Sequence, residues 1–368
     1  MSRTLRFVAV ALLVAGGASA QNLWSPEIGI QGGFARAKPA GTGATDHIDF
    51  FDVPGQQFVG GLQTYGNLFA IIPWQNKLAV EPSIAASQLN AGAGVTTARL
   101  GLRLNYALTP KVYAAAGGVL LYLNADGQNS TNVGIQAGLG YRTRLVGRIN
   151  GRVEAHVATV KGTDELGPHN VYGVLVGVSS PVGRRVPPAP ARRGAPARAW
   201  QPVLGVAGGY ITTHFVGDGG DLSGLALPGI GGSLTSGGFP VTQPPTLFVI
   251  LPIGRKIAVE PGLDLHRVQE AALGETRFSG NLGARLNYAV VGGWYAAAGA
   301  NLNYIKVTGQ DAATMAGATV AWGYRFPLSG SWGGRVEFNY LMMGRNEDLG
   351  IEPQNTLGVL FGLTMPLR

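Results

Sequence analysis

Ten charged residues occupy matching places in two parts of the chain, and they offer the most chemistry. Five of them are Glu81, Arg103, Arg142, Arg152 and Glu154, and the other five are Glu260, Arg285, Arg325, Arg335 and Glu337. Arginine and glutamate form strong, charge-assisted hydrogen bonds, often in a bidentate geometry. If each set is enclosed, its members must pair, because an unpaired buried charge is costly. The sequence therefore predicts two Arg–Glu networks.

Such a network has two possible roles. It is either a structural plug that fills a narrow lumen, or a gate whose ion pairs exchange to let small solutes or ions pass. Eight strands close around a space that side chains can just fill, which favours the plug.

Other candidate sites lack the required partners. By strand parity, His156 and His266 lie on the same face of their strands as the charged residues. Neither has a second histidine or an acid at metal-ligand spacing. No outward-facing His/Ser pair with an orienting acid can be assembled, and no glycine-rich phosphate loop is present. We expect no metal, no cofactor and no catalytic residue, and hence a protein that is not an enzyme.

Segments that carry these residues recur in the same order along the chain. Lys77-Leu-Ala-Val-Glu-Pro82 recurs as Lys256-Ile-Ala-Val-Glu-Pro261, and Arg103-Leu-Asn-Tyr-Ala107 recurs as Arg285-Leu-Asn-Tyr-Ala289. A repeat of this length indicates a tandem duplication. We expect one unit at 21–183 and a second at 200–368, joined by a Pro/Arg/Ala-rich linker at 184–199.

The elements that position the charges are strands. From Arg99 to Leu108, the large apolar residues Leu100, Leu102, Leu104 and Tyr106 alternate with polar or small residues. Period-two alternation with one apolar face is typical of a strand, and about ten residues suffice for a tilted transmembrane strand. The first unit divides into eight candidate strands near 26–37, 62–73, 77–89, 96–109, 111–125, 131–145, 149–161 and 169–182.

Short connections alternate with longer ones, of which the longest predicted loops are 38–61 and 217–243. The pattern predicts an all-β, antiparallel, up-and-down transmembrane β-barrel, with two tandem eight-stranded barrels. A single sixteen-stranded barrel of porin size is the alternative. Aromatic girdles are expected on the outward face, at Tyr106, Tyr122, Tyr141, Tyr288, Trp294, Tyr304 and Tyr324.

The start of the chain indicates the compartment. Basic Arg3 and Arg6, an apolar stretch and a small-residue site predict a signal peptide at 1–20, cleaved after Ala20. The chain is 46% hydrophobic and only 13% charged, and it has no cysteine for disulfides. Arg3, Arg6 and the five linker arginines account for all but one unit of the net charge of +8, so no nucleic-acid partner is expected.

On these strand patterns, the chain resembles the small eight-stranded outer-membrane barrels of the OmpA, OmpX and OmpW type. The resemblance implies the outer membrane as location, with its lipid and its assembly machinery as partners. It implies a structural, surface-interaction or weak small-solute permeation role. A soluble secreted or periplasmic pair of barrels that binds an apolar ligand, and a lipid-modifying barrel enzyme, are the alternatives.

Overall fold

Strands make up most of the chain in the computed structural model. The structure describes residues 23–39, 47–53, 58–59, 62–63, 67–91, 93–125, 127–161, 168–183, 199–216, 221–227, 246–270, 274–328, 332–347 and 350–367. Its strands are β1 (Glu27–Pro39), β2 (Ile48–Val53), β3 (Phe58–Val59), β4 (Leu62–Gln63), β5 (Asn67–Gln75), β6 (Leu78–Ala91), β7 (Ala93–Ala107), β8 (Val112–Ala125), β9 (Gln128–Val146), β10 (Ile149–Val160), β11 (His169–Pro181), β12 (Val203–Phe215), β13 (Asp221–Leu227), β14 (Leu247–Pro252), β15 (Ile257–Glu270), β16 (Glu275–Ala289), β17 (Trp294–Val307), β18 (Ala313–Pro327), β19 (Gly333–Met343) and β20 (Gln354–Pro366). Within the described residues, no helix has the length and apolar character that crossing a membrane requires.

The predicted all-β, antiparallel barrel is confirmed. We call residues 23–183 the first half and 199–367 the second half. The end of the strands near the tight connections at 76–77, 108–111 and 147–148 is the turn end, and the opposite end is the loop end. The predicted signal peptide, and the linker except for Ala199, lie outside the described residues.

At the turn end, each half closes its own circuit of eight antiparallel strands. In the first half, β1 pairs with β5, the ladder continues in order from β5 to β11, and β11 returns to β1. In the second half, β12 pairs with β14, the ladder continues to β20, and β20 returns to β12. Closure leaves neither sheet with a free edge.

At the loop end, the two halves exchange strands. β13 of the second half pairs with β12 and then with Ala86–Asn90 of β6 in the first half. Reciprocally, β2 pairs with β1 and then with Leu265–Glu270 of β15 in the second half. The ladder therefore runs around sixteen strands at this end: β1, β2, β15 to β20, β12, β13 and β6 to β11.

This exchange combines two predictions that the sequence presented as alternatives. The chain forms two eight-stranded circuits at the turn end and one sixteen-stranded circuit at the loop end. The prediction that 38–61 and 217–243 are only loops was wrong, because they contain β2 and β13. The predicted strand at 62–73 is displaced to Asn67–Gln75, because the loop-end part of β6 is paired with β13 instead.

At the turn end, the outer walls of the two circuits pack directly against each other. Ile149, Trp332 and Met365 form a buried apolar cluster at this boundary. Side chains of both halves surround it, namely Ile28, Val178, Val182, Leu204, Leu363 and Leu367. The Trp332 indole N–H also donates to the carbonyl of Ser180 at 3.3 Å. This apolar contact joins the two circuits below the level of the exchanged strands.

Candidate functional site

The first half brings four of the predicted charges together across its lumen. Arg103 donates to both carboxylate oxygens of Glu154, at 2.5 and 2.7 Å, and its Nε donates to Glu81 at 3.0 Å. Arg152 reaches the same Glu81 from the other side, at 2.7 and 3.1 Å. We call Glu81, Arg103, Arg152 and Glu154 the first cluster. All four are buried.

The second half repeats the arrangement with equivalent residues. Arg285 donates to both oxygens of Glu337, at 2.7 and 2.6 Å, and to Glu260 at 2.8 Å. Arg335 donates to both oxygens of Glu260, at 2.8 and 2.9 Å. We call Glu260, Arg285, Arg335 and Glu337 the second cluster. Each cluster holds two positive and two negative groups, so its formal charge cancels.

The register of the strands explains why these residues meet. Glu81 on β6 is directly opposite Arg103 on β7, and Glu260 on β15 is directly opposite Arg285 on β16. Opposite charges at such positions stabilise the strand pair. The remaining charges of each cluster come from β10 and β19, so the ion pairs cross the lumen.

Two further residue types complete each cluster, and the sequence prediction missed them. The Tyr113 hydroxyl donates to Glu154 at 2.7 Å, and the Tyr295 hydroxyl donates to Glu337 at 2.6 Å. The guanidinium of Arg152 lies 3.6 Å from the ring centre of Phe69, and Arg335 lies at the same distance from Phe248. A cation over an aromatic face is attracted most strongly where water is excluded.

Inward-facing glycines make room for these large side chains. A Cβ atom added to Gly140 would lie 2.2 Å from the ring of Tyr113, and one added to Gly323 would lie 2.5 Å from the ring of Tyr295. Such distances are far inside van der Waals contact. The tyrosine therefore requires glycine on the neighbouring strand.

The prediction placed Arg142 and Arg325 in the networks, and the structure corrects it. Arg142 lies over the ring of Trp24, at 3.8 Å from its centre, and donates to the carbonyls of Pro110 and Leu23. Its strand neighbour is Arg152, directly opposite in register. Like charges at such positions repel, and Arg152 already forms an ion pair with Glu81. Arg142 therefore turns away, to the turn end.

Arg325 behaves in the same way in the second half. It faces Arg335 in the ladder, lies 3.6 Å from the ring centre of Trp200 and donates to the carbonyl of Ala199 at 3.1 Å. Trp200 in turn packs edge-on against Tyr295, with 5.5 Å between ring centroids, as Trp24 does against Tyr113. A tryptophan–arginine pair thus lies beneath each cluster at the turn end.

Three buried histidines lie on or at the start of strands of the described part of the chain. His156 is buried, and its Nδ1 lies 3.4 Å from Glu154. His266 is buried on β15, and His169 begins β11. Among the described residues, no group of three His, Asp or Glu side chains could hold a metal ion.

The predicted girdle residues lie on the outward face. Near the turn end, Tyr106, Tyr141, Tyr288, Trp294 and Tyr324 are exposed, and Trp294 packs against Tyr324 with 5.0 Å between ring centroids. Toward the loop end, Tyr304 is exposed and contacts Phe278 at 5.9 Å, while Tyr122 is half-buried and donates to Asn129 at 2.8 Å. Aromatic side chains therefore lie outward near both ends of the strands.

No protein-family model matches the chain, and no curated protein is similar to it in sequence. Solved structures to which the chain is weakly similar include the CymD monoaromatic hydrocarbon channel (10% identity, 97% of this chain and 91% of that chain covered, TM-score 0.30). A loop L8 deletion mutant of OmpT, an outer membrane protein of Vibrio cholerae, is 8% identical (92% and 99% covered, TM-score 0.29). A Pseudomonas aeruginosa FadL homologue is 10% identical (94% and 91% covered, TM-score 0.27). Similarity this low assigns no solute, reaction or family to the chain.

Proposed function

We propose that this protein is an integral outer-membrane barrel with a structural and surface-interaction role, that its lumens are closed, and that it is not an enzyme. Each half would be the counterpart of a small barrel of the OmpA, OmpX or OmpW type, and the two halves would descend from a tandem duplication. In this proposal, residues 1–20 are removed on export, and residues 184–199 join units 21–183 and 200–368. The assembly machinery of the outer membrane would insert the chain, and any recognition would lie at the loop end.

The observation that carries the proposal is the orientation of the strand faces. On β7, the outward side chain of Leu102 is 58% exposed, whereas its neighbour Arg103 is 5% exposed and faces the lumen. The same arrangement, with large apolar side chains outside and charges inside, recurs on β10, β16 and β19. Apolar surface favours hydrocarbon over water, so this exterior is suited to lipid. The alternative of a soluble pair of barrels with an apolar ligand inside requires the reverse orientation.

The side chains that cross each lumen support the proposal that the lumens are closed. In each half, an ion-pair cluster crosses the lumen, and a tryptophan–arginine pair lies beneath it. Opening either lumen must separate buried opposite charges, which is unfavourable unless each charge finds another partner or water. A role in anchoring and surface interaction fits these lumens better than steady solute flow.

Two measurements test the proposal. In fractionated envelopes, the full chain is expected to stay in the outer-membrane pellet after alkaline washing. In planar lipid bilayers, the purified protein is expected to insert without conductance steps of porin size. Recovery of the chain in the soluble periplasmic fraction would refute the membrane assignment, and large stable steps would refute the closed lumens.

A further inference from the structure

The two lumens differ just above their charge clusters, on the loop-end side. In the second half, a cavity lies there between Phe248, Gly262, Asn301, Thr319 and the second cluster. Its volume, counted as the space that the centre of a water molecule can reach, is about 20 Å³. A buried polar cavity needs roughly 10–15 Å³ by this measure to hold one water. The space therefore suits an occupant the size of water.

Buried donors line this cavity. Among the residues that the structure describes, no acceptor meets Arg285 Nε, Arg335 Nε or Asn301 Nδ2. All three side chains are at least nine-tenths buried, and all three belong to the wall of the cavity. A buried donor without an acceptor costs about 1–3 kcal/mol. An occupant that accepts hydrogen bonds would remove part of this cost.

The first half provides an internal comparison, because larger or less polar residues stand at the equivalent positions. Ser83 replaces Gly262, Val119 replaces Asn301 and Gln136 replaces Thr319. Gln136 crosses the space, donating to the carbonyl of Gly118 at 2.9 Å and accepting from Arg99 at 3.2 Å. The Nε of Arg103, the counterpart of Arg285, donates to Glu81. The Nε of Arg152 meets no acceptor among the described residues, like that of its counterpart Arg335, so the difference between the lumens rests on Arg285 and Asn301. Each half has its own charge cluster, but in the first half the side chains of Ser83 and Gln136 lie beside Gly101, the counterpart of the cavity residue Gly283.

We propose that the second lumen binds a small hydrogen-bond acceptor, either water or a monovalent halide ion, in this cavity, and that the first lumen has no such site. Both ligands are compact acceptors for the arginine and amide N–H groups of the wall. The wall also contains the carboxylates of Glu260 and Glu337, to which water can donate and which a halide must avoid. The two halves then differ in use: the first lumen is packed with protein, and the second is a binding site. This inference holds whether or not the chain resides in a membrane.

The test is a crystal structure of the full chain, with crystals grown in chloride and in bromide. We expect density within about 3.2 Å of Arg285 Nε and Asn301 Nδ2, and none at the equivalent place near Val119. Anomalous scattering of bromide at this position identifies a halide, and density without anomalous signal identifies water. Absence of density in the second lumen, or matching density in both lumens, overturns the proposal.

Matched variants control for the cavity itself. Thr319→Gln with Gly262→Ser gives the second lumen residues that the first already carries, and we expect loss of the density with the barrel intact. Density that persists in this folded double variant contradicts the assignment. If the variant does not fold, Asn301→Val alone removes one donor and is expected to lower the occupancy of the site; unchanged occupancy counts against the proposal.

Discussion

Replacing Glu154 with glutamine removes one charge from the first cluster with almost no change of volume. The carboxylate of Glu154 accepts two hydrogen bonds from Arg103 and one from Tyr113, and it is fully buried. In the Glu154→Gln variant, Arg103 and Arg152 face a single glutamate, so the lumen holds one uncompensated positive charge. Removing one partner of a buried pair costs about 3–5 kcal/mol. We expect a loss of that size in the free energy of unfolding.

The assay is urea unfolding of the protein refolded in lipid vesicles, followed by tryptophan fluorescence. The control is Glu347→Gln, which makes the same chemical change at a side chain that is 82% exposed and 3.7 Å from Arg345. A surface pair of this kind contributes about 0–1 kcal/mol. Glu337→Gln, in the second half, is expected to match Glu154→Gln. If Glu154→Gln costs no more than the control, the cluster does not hold the lumen closed.

Three further predictions follow from the same geometry. Residues 23–183 expressed alone are expected to be less stable than the full chain. They lose the exchanged ladders of five and six residue pairs, and each hydrogen bond contributes about 1 kcal/mol. A half that is as stable as the full chain and heat-modifiable on a gel would contradict this. Gly140→Ala is expected to lower the free energy of unfolding by about 1–3 kcal/mol, because the added methyl group overpacks against Tyr113. Gly118→Ala is the control, because a Cβ added there comes no closer than 3.7 Å to its neighbours. Equal urea midpoints for the two variants would refute the packing argument. Leu102→Arg is expected to cost about 2–4 kcal/mol if this face meets the bilayer core, while Gln75→Arg, at the exposed turn end of β5, is expected to be tolerated. Similar membrane insertion of both variants in a folding assay would count against a lipid-facing β7.

The barrel class and the charge clusters could be predicted because both depend on local patterns. Alternation from Arg99 to Leu108 separates the two faces of β7, and parity places Arg103 and Arg285 inside once the apolar faces are assigned to lipid. The repeat then gives each charge a counterpart. Tyr113 and Tyr295 could also have been predicted, because the segment Tyr-Ala-Ala-Ala-Gly occurs in both halves and its tyrosine faces inward.

The strand exchange could not be predicted, because it depends on contacts between distant parts of the chain. β2 has only six residues, and its adjacent Phe50 and Phe51 break any simple alternation of apolar and polar residues. Its partner on β15 lies more than two hundred residues away. Arg142 was misplaced for a related reason: parity gives the face of a strand, but the direction of a long side chain depends on which charges its neighbours have already paired.

The exchange of strands between the halves is the central claim, and cross-strand disulfides test it most directly. The chain has no cysteine of its own, so introduced pairs have a clean background. Leu225 is directly opposite Gln88, and Arg267 is directly opposite Phe51. Antiparallel partners have Cα atoms about 4.5–5.5 Å apart, which a disulfide can bridge. The linker at 184–199 is first cut with an inserted protease site. Each cysteine pair, Leu225→Cys with Gln88→Cys or Phe51→Cys with Arg267→Cys, should then hold the two halves together on a denaturing gel until reductant is added. Halves that separate without reductant in both variants would contradict the sixteen-stranded circuit and leave two independent barrels.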